Sequence, residues 1–555
     1  MTELNEKTKN VCIIGAGISG MVTAKSCLEY GLQPIVYERT KNLGGLWRYR
    51  EQIEPGQGSV MRSTVVNSSK TLTAFSDYPF PDKYPNFMPN DLMYEYLVNY
   101  AKEFQLDSYI RYSHEVIRIE HCNDPLLDGG GYLITVKDLN NEDSIQTIRY
   151  DAVAICSGHH HTPKLPSPSI PGQELFQGKI LHSHNVRSIL DNPDFIDKRI
   201  VVLGIGNSGG DVAAEAAPVA KQVYLSSRNG GTWLLRRTGL NGQPVDTVGI
   251  RRAFMGALHL LPYSLRCSVM EFLASRMVGH DLLGLRPEKT RFLEQHAMVN
   301  DHIPTYIHLG WIKMRFGIES FVQNGVIFER DQGRITECDL VIMATGYEHS
   351  FPFITSDVFD LSTGRFDLYK HVFDPRQPQP ECLAFIGLPA ANGSLPPISE
   401  IQSRWFCMLL TGQCKSLPNK KKMFAKIEKD RKWVANRYGS DKVERFRFEV
   451  EMLDYMDTVA RSAGLRPNIA INFLKDPKLW WALLFKPCIS AQYRLRGPGS
   501  KPKQARQLIL TIDERIKAPY RKTSEQQTET KLKQQRQQEN GDFSEKPLLL
   551  KDKFL

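Results

Sequence analysis

Two stretches of the chain share one order of apolar, glycine and polar positions. Near the N-terminus, VCII has the pattern of a short buried strand and runs into Gly15, Gly17 and Gly20. SGMVTAKSCLEYG then reads as a helix closed by Gly31, and a second apolar run, PIVYE, ends in Glu38. The pattern predicts strand, tight turn, helix and strand. Near residue 200 the same order returns as VVLGIGNSGGDVAAEAA followed by QVYLSSR, with Gly204, Gly206 and Gly209 at matching spacing.

The chemistry of such turns is specific. Glycines at GxGxxG spacing clear the backbone for a pyrophosphate, which rests on the positive end of the helix. An acid at the end of the second strand accepts both ribose hydroxyls. Gly15, Ala16, Gly17, Ile18, Ser19, Gly20 and Glu38 therefore form a first dinucleotide site. Gly204, Gly206, Ser208, Gly209, Gly210 and Asp211 form a second. Ser227 follows Gly204 at the distance at which Glu38 follows Gly15, and Arg228 comes next. A carboxylate would repel a ribose 2′-phosphate, whereas a hydroxyl and a guanidinium bind one. The first site is expected to take FAD and the second to prefer NADPH over NADH. The Gly44–Gly45 pair soon after Glu38 suits close approach to a flavin's phosphates and ring. YDAVAICSGHH and CDLVIMATGYE each place an acid, an apolar strand and a Ser/Thr-Gly turn in order, the pattern expected where a chain crosses between paired nucleotide-binding domains.

Composition narrows the class. The 555 residues are 41% hydrophobic and 24% charged, ordinary globular values, with a formal net charge of +10. No nucleic-acid motif accompanies that charge, so nucleic acid is not an expected partner. Ten cysteines without a CxxC pair indicate reduced thiols and no zinc site. The absence of a CxxxxC after Gly44–Gly45 excludes a disulfide reductase. His159, His160 and His161 are adjacent and cannot all face one ion without strain, so they are read as loop histidines and no metal site is expected. MTELNEKTKN is too polar for a signal peptide, and no apolar run reaches the ~18–20 residues of a spanning helix.

GAGISG with Glu38, GGLW, VVNSSK, FSDYPFP, GIGNSGGD, ATGYE and QYRLRGPG, in that order, resemble the flavin-containing monooxygenases of animals, the dimethylaniline N-oxide-forming family. YPNFMPN and CSGHHHTP are most similar to the branch of the fifth mammalian isoform. The resemblance spans about residues 10–515. It implies FAD, NADPH and O2 as reactants, a C4a-hydroperoxyflavin, and oxygen transfer to soft nucleophiles (amine N, sulfide S) of small lipophilic xenobiotics or metabolites. It also implies that Leu46, Trp47 and Ser68 bind cofactor and that Asn67 is both the active-site asparagine and a cofactor contact. Baeyer–Villiger oxygenation of ketones and uncoupled NADPH oxidation to H2O2 stay open as alternatives. One departure stands out: in the family motif FxGxxxHxxxY/F, Phe176, Gly178 and His182 are present but Val186 takes the aromatic place.

The expected fold is α/β, with an FAD Rossmann-like domain (1–170 and 330–445) and an inserted NADPH Rossmann-like domain (171–330). An amphipathic excursion lies near 235–300, a helical C-terminal segment covers 446–515, and a polar disordered tail covers 516–555. Arg251 to Gly279 and PKLWWALLFKP read either as core and channel wall or as membrane-facing surfaces. The resemblance implies peripheral attachment to the cytosolic side of the endoplasmic reticulum. With no hydrophobic anchor in the tail, a cytoplasmic protein is the alternative, and homo-oligomerisation is left open.

Overall fold

The structure is a computed structural model that describes residues 8–122, 130–141, 144–239, 241–362 and 364–520. Two five-stranded parallel sheets dominate it. In the first, the spatial order is Leu383–Phe385, Ala152–Ile155, Asn10–Ile14, Gln33–Glu38 and Ile110–Tyr112. In the second it is Lys179–His182, Leu340–Met343, Arg199–Leu203, Gln222–Ser226 and Ile312–Arg315. Both central strands are apolar because a parallel sheet is covered on both faces; Val11 to Ile13 and Ile200 to Val202 are fully buried.

The two halves repeat one plan. In each, the central strand leads through a glycine turn and helix to its neighbour and then to the next strand outward. An antiparallel three-stranded meander follows: His114–His121, Tyr132–Asp138 and Ile145–Tyr150 in the first half, Ile318–Val322, Gly325–Phe328 and Ile335–Glu337 in the second. Each meander returns to the other side of the central strand. The fifth strand differs: the first sheet takes it from beyond the second domain, and the second sheet takes it from before its own glycine turn.

The second domain runs past the residue-330 border expected from sequence. Its meander spans that border, and Leu340–Met343 pairs with Arg199–Leu203 and Lys179–His182. The segment CDLVIMATGYE is thus a strand of the second sheet before it is a crossing. At the crossing proper, Tyr347–Glu348 pairs antiparallel with Thr162–Pro163. Helical structure continues beyond 515, through Ile512–Lys517 to Tyr520, and residues 521–555 of the expected tail lie outside the described residues.

Two further devices fix the first domain. Helix Pro396–Leu410 lies along helix Ile18–Glu29 through small side chains one turn apart: Ser19 with Ser399 (3.1 Å), Thr23 with Ser403 (2.8 Å) and Cys27 with Cys407 (3.6 Å). The C-terminal segment is held by Arg494, which is fully buried. Its guanidinium meets Glu29, Asp77 (3.3 Å) and Glu400 (3.2 Å) and donates to Ser76 Oγ (2.6 Å). Burial raises the Asp77 carboxyl, but the Arg494 and Lys25 charges outweigh it and hold Asp77 well below the usual range. Removing one partner of such a cluster strands the others without compensation. Arg494→Met is expected to destabilise the protein by about 3–5 kcal/mol in urea denaturation; an unchanged midpoint would show that the acids are stabilised elsewhere.

Candidate functional site

The glycine turns are built by contact. Gly15 has φ +99°, and a Cβ there would sit 2.9 Å from the Cys156 carbonyl oxygen; Gly204 has φ +114° and the same relation, at 2.3 Å, to Ala344. A Cβ on Gly20 would lie 1.8 Å from Gly15 O, and one on Gly209 would lie 2.1 Å from Gly204 O. The middle glycines differ. A Cβ on Gly206 would meet nothing within 4 Å, and one on Gly17 would meet only the Gly45 Cα, at 3.7 Å. Backbone forces the outer glycines, whereas the middle ones keep space open. Helices Ile18–Glu29 and Asn207–Ala216 begin at Gly17 and Gly206 with no side-chain cap and no acid in the first turn. Their N-terminal donors therefore remain available to an anion.

Glu38 closes the first site. Its Oε2 accepts from Ala16 N–H (2.7 Å), and its Oε1 accepts from Thr40 N–H (2.9 Å) and Thr40 Oγ (2.7 Å). The Gly44–Gly45 pair folds over this turn: Gly44 N–H donates to Ala16 O (2.9 Å), and a Cβ on Gly45 would lie 3.0 Å from Gly17 Cα. Leu46 and Trp47 follow and line the cavity, as do Ile18, Ser19, Ser68, Ser208 and Asp211. In the second site Gly204 N–H donates to Ser226 O (3.0 Å), as Gly15 N–H does to Tyr37 O (2.8 Å). Ser227 therefore stands where Glu38 stands. Its hydroxyl is engaged locally with Gly231 O and Asn229 N–H (both 3.3 Å), and Arg228 is exposed. Neither lines the cavity. Ala16, Gly20, Gly204 and Gly210 lie in the framework of the turns and do not line it either.

Both sites open on one cavity of about 2000 Å³, well above the ~300–1,000 Å³ of a pocket for one small ligand. Asn67 lines it. Arg237 Nη2 donates to Asn67 Oδ1 (2.8 Å); a guanidinium has only donors, so the amide oxygen must face it, and the NH2 group has no protein partner among the described residues. Asp211 is pushed up to about 6 by burial. His296, also in the wall, is lowered by burial, but Glu449 at 3.5 Å outweighs this and leaves it above its ordinary value.

The sequence matches the Flavin-binding monooxygenase-like family over residues 8–538. It is 40% identical over 512 residues to flavin-containing monooxygenase 5 of Rattus norvegicus, covering 92% of this chain and 93% of that protein. The chain belongs to the flavin-binding monooxygenase family. Among solved structures, S-allyl-L-cysteine S-oxygenase of Allium sativum is similar in fold (TM-score 0.60, 23% identity, 85% of this chain and 95% of that one). So is ε-caprolactone-bound cyclohexanone monooxygenase (TM-score 0.57, 16% identity, 82% and 98%).

For a flavin-binding monooxygenase the residues present fit their cofactors. The first turn, with Glu38 at its ribose end, fits FAD; the second, with no acid there, fits NADPH. Sequence reasoning missed Arg237, Asp246 and His296. They come from the excursion between the second domain's strands and belong to no motif, so only the fold brings Asp246 and His296 to the cavity and Arg237 to Asn67. Because nothing occupies the space beside Gly206, Gly206→Ala is expected to fold and retain FAD. NADPH binding should weaken by about 1–3 kcal/mol, the cost of crowding a well-packed site, as read by titration with NADP+. Loss of FAD as well would show that the space belongs to the fold.

Proposed function

We propose that the protein is an NADPH- and O2-dependent monooxygenase acting on amine nitrogen and sulfide sulfur of small lipophilic molecules. One oxygen atom goes to the substrate and the other leaves as water, with NADPH and a proton supplying the reducing equivalents. The observation that carries this reading is the pair of glycine turns with uncapped helices, one followed by Glu38 and the other by Ser227, opening on one cavity. Bound flavin supplies hydride acceptance and oxygen activation. The chain's own residues bind, orient and exclude water. Ser227 and Arg228 are assigned to the NADPH 2′-phosphate, and Leu46, Trp47 and Ser68 to the flavin's surroundings. Asn67 is the active-site residue in this reading: its NH2 points a hydrogen-bond donor that cannot titrate at the reaction space.

The test is rapid mixing of NADPH-reduced holoenzyme with O2, followed by a methyl sulfide, a tertiary amine and a cyclic ketone in turn. Sulfoxide or N-oxide matching NADPH consumed is the expected product. Lactone would move the reading to Baeyer–Villiger chemistry, and stoichiometric H2O2 to an oxidase. Asn67→Ala should lower kcat for product formation about 10²–10³-fold, the cost of removing one preorganised donor. Arg228→Ala should raise KM for NADPH and leave that for NADH unchanged.

A peripheral seat on the cytosolic face of the endoplasmic reticulum belongs to the same reading. No helix among the described residues is long and apolar enough to cross a membrane. Helices Arg252–His259 and Tyr263–Val278 line the cavity through Phe254, Met255, Leu258 and Met270. They turn Leu265 and Phe272 outward, with Leu260 86% exposed between them and Leu282 82% exposed just beyond. Nearby, Ile469–Lys475 and Pro477–Phe485 expose Leu474 (81%), Phe473 and Trp481. Leu260→Asp with Phe272→Asp is expected to abolish flotation with anionic liposomes while sulfoxidation persists. Unchanged flotation would count against this surface.

A further inference from the structure

The Asn67–Ser68–Ser69 loop of the first domain is gripped at both ends by one loop of the second. Arg237 Nη2 donates to Asn67 Oδ1 (2.8 Å) and reaches toward Val65 O (3.5 Å). Asp246 Oδ2 accepts from Ser69 N–H (2.6 Å). The two gripping residues are brought together because their loop closes on itself: Val245 N–H donates to Arg237 O (2.9 Å), and Thr238 bridges Pro244. Cation meets acceptor and anion meets donor, so the grip has one register. Asp246 Oδ1 is buried with no hydrogen-bond partner among the described residues, and burial pushes the carboxyl up to about 6.

The cation end of this grip continues into the second dinucleotide turn. Asp301 accepts from Arg237 N–H (3.2 Å) and Nη1 (3.3 Å). Its neighbour Asn300 donates to Asp211 Oδ1 (3.2 Å), and Val299 N–H donates to Asn207 Oδ1 (2.9 Å). Asn207 and Asp211 lie in the first turns of the helix that begins at Gly206. A chain of contacts thus runs from the second nucleotide site to the amide of Asn67, its hydrogen bonds at Asn207, Asp211 and Arg237 joined through the consecutive backbone of Val299, Asn300 and Asp301.

Resting on the functional reading above, we propose that Arg237 and Asp246 are positioning residues, a clasp by which occupancy of the second site sets the orientation of Asn67 beside the flavin. Contiguity alone is not coupling, so the test must measure coupling. FAD-loaded protein is titrated with NADP+, and the visible circular dichroism of the flavin is followed alongside calorimetric binding. In the wild type, NADP+ should perturb the flavin bands. Arg237→Lys keeps the charge but loses the fork, and Asp246→Asn keeps the shape but loses the charge. Both variants should retain FAD and bind NADP+ within about fivefold of wild type, the lower edge of ordinary coupling, while most of the perturbation disappears. The double variant should lose no more than either single one, because the clasp acts as a unit.

A full perturbation in both single variants would overturn the clasp. So would parallel loss of FAD content, NADP+ binding and thermal stability, which would make the contacts purely structural. Absence of NADP+ binding by the wild type would overturn the functional reading and the clasp with it.

Discussion

Everything in this molecule depends on how closely a helix can approach the turn that precedes it. A Cβ at Gly20 would fall 1.8 Å from the carbonyl of Gly15, and one at Gly209 would fall 2.1 Å from that of Gly204. No side chain can occupy those points. With them empty, each helix packs flat on its sheet and begins at the sheet's C-terminal edge, where its uncapped donors face the cavity. Close packing of helix on turn therefore leaves donors that can receive an anion without a dedicated cationic side chain.

The exchange of fifth strands explains why two such sites share one space. The first sheet is completed by Leu383–Phe385, made after the second domain, and the second by Lys179–His182, made before its own turn. The chain must cross between domains twice within a short distance, and the two crossings are tied by Thr162–Pro163 with Tyr347–Glu348. Histidine and tyrosine rings fill this crossing: His159 stacks on His349 at 5.0 Å, and His160, His182 and His184 surround Tyr347. The histidine run thus packs the hinge of the architecture. Arg494 ties two separated motifs together: Ser76 and Asp77 lie in FSDYPFP, Arg494 in QYRLRGPG.

Those motifs were legible because each encodes a local necessity. The turns, Glu38 and the Ser227–Arg228 replacement follow from spacing, and hydrogen bonds from the turn N–H groups of Gly15 and Gly204 to the strand carbonyls of Tyr37 and Ser226 align Ser227 with Glu38. The amphipathic excursion was legible as two-faced, and it both walls the cavity and turns Leu260 and Phe272 outward. The domain border was misread because a strand ending in Thr-Gly has the same pattern whether it closes a domain or leaves it. Arg237, Asp246 and His296 were illegible for a different reason. Their partners, Asn67, Ser69 and Glu449, are far away in sequence, and one polar residue opposite another across a domain interface leaves no periodicity.

The motif FxGxxxH and its departure at Val186 can be settled on packing grounds. A Cβ on Gly178 would meet the Phe176 ring at 2.3 Å and Asp339 O at 2.6 Å, while Phe176 packs edge-on against Phe321 at 5.4 Å. His182 Nδ1 accepts from His184 N–H (3.0 Å), which turns the chain after the fifth strand. Val186 is 1% exposed, in the same apolar cluster as Ile189, Phe195 and Ile200, and does not line the cavity. The motif is therefore a device for seating Lys179–His182 in the second sheet, and a valine fills its last place as apolar volume. Any effect of that substitution on the reaction must pass through the packing of the second domain, and hence through the contacts by which that domain holds Asn67.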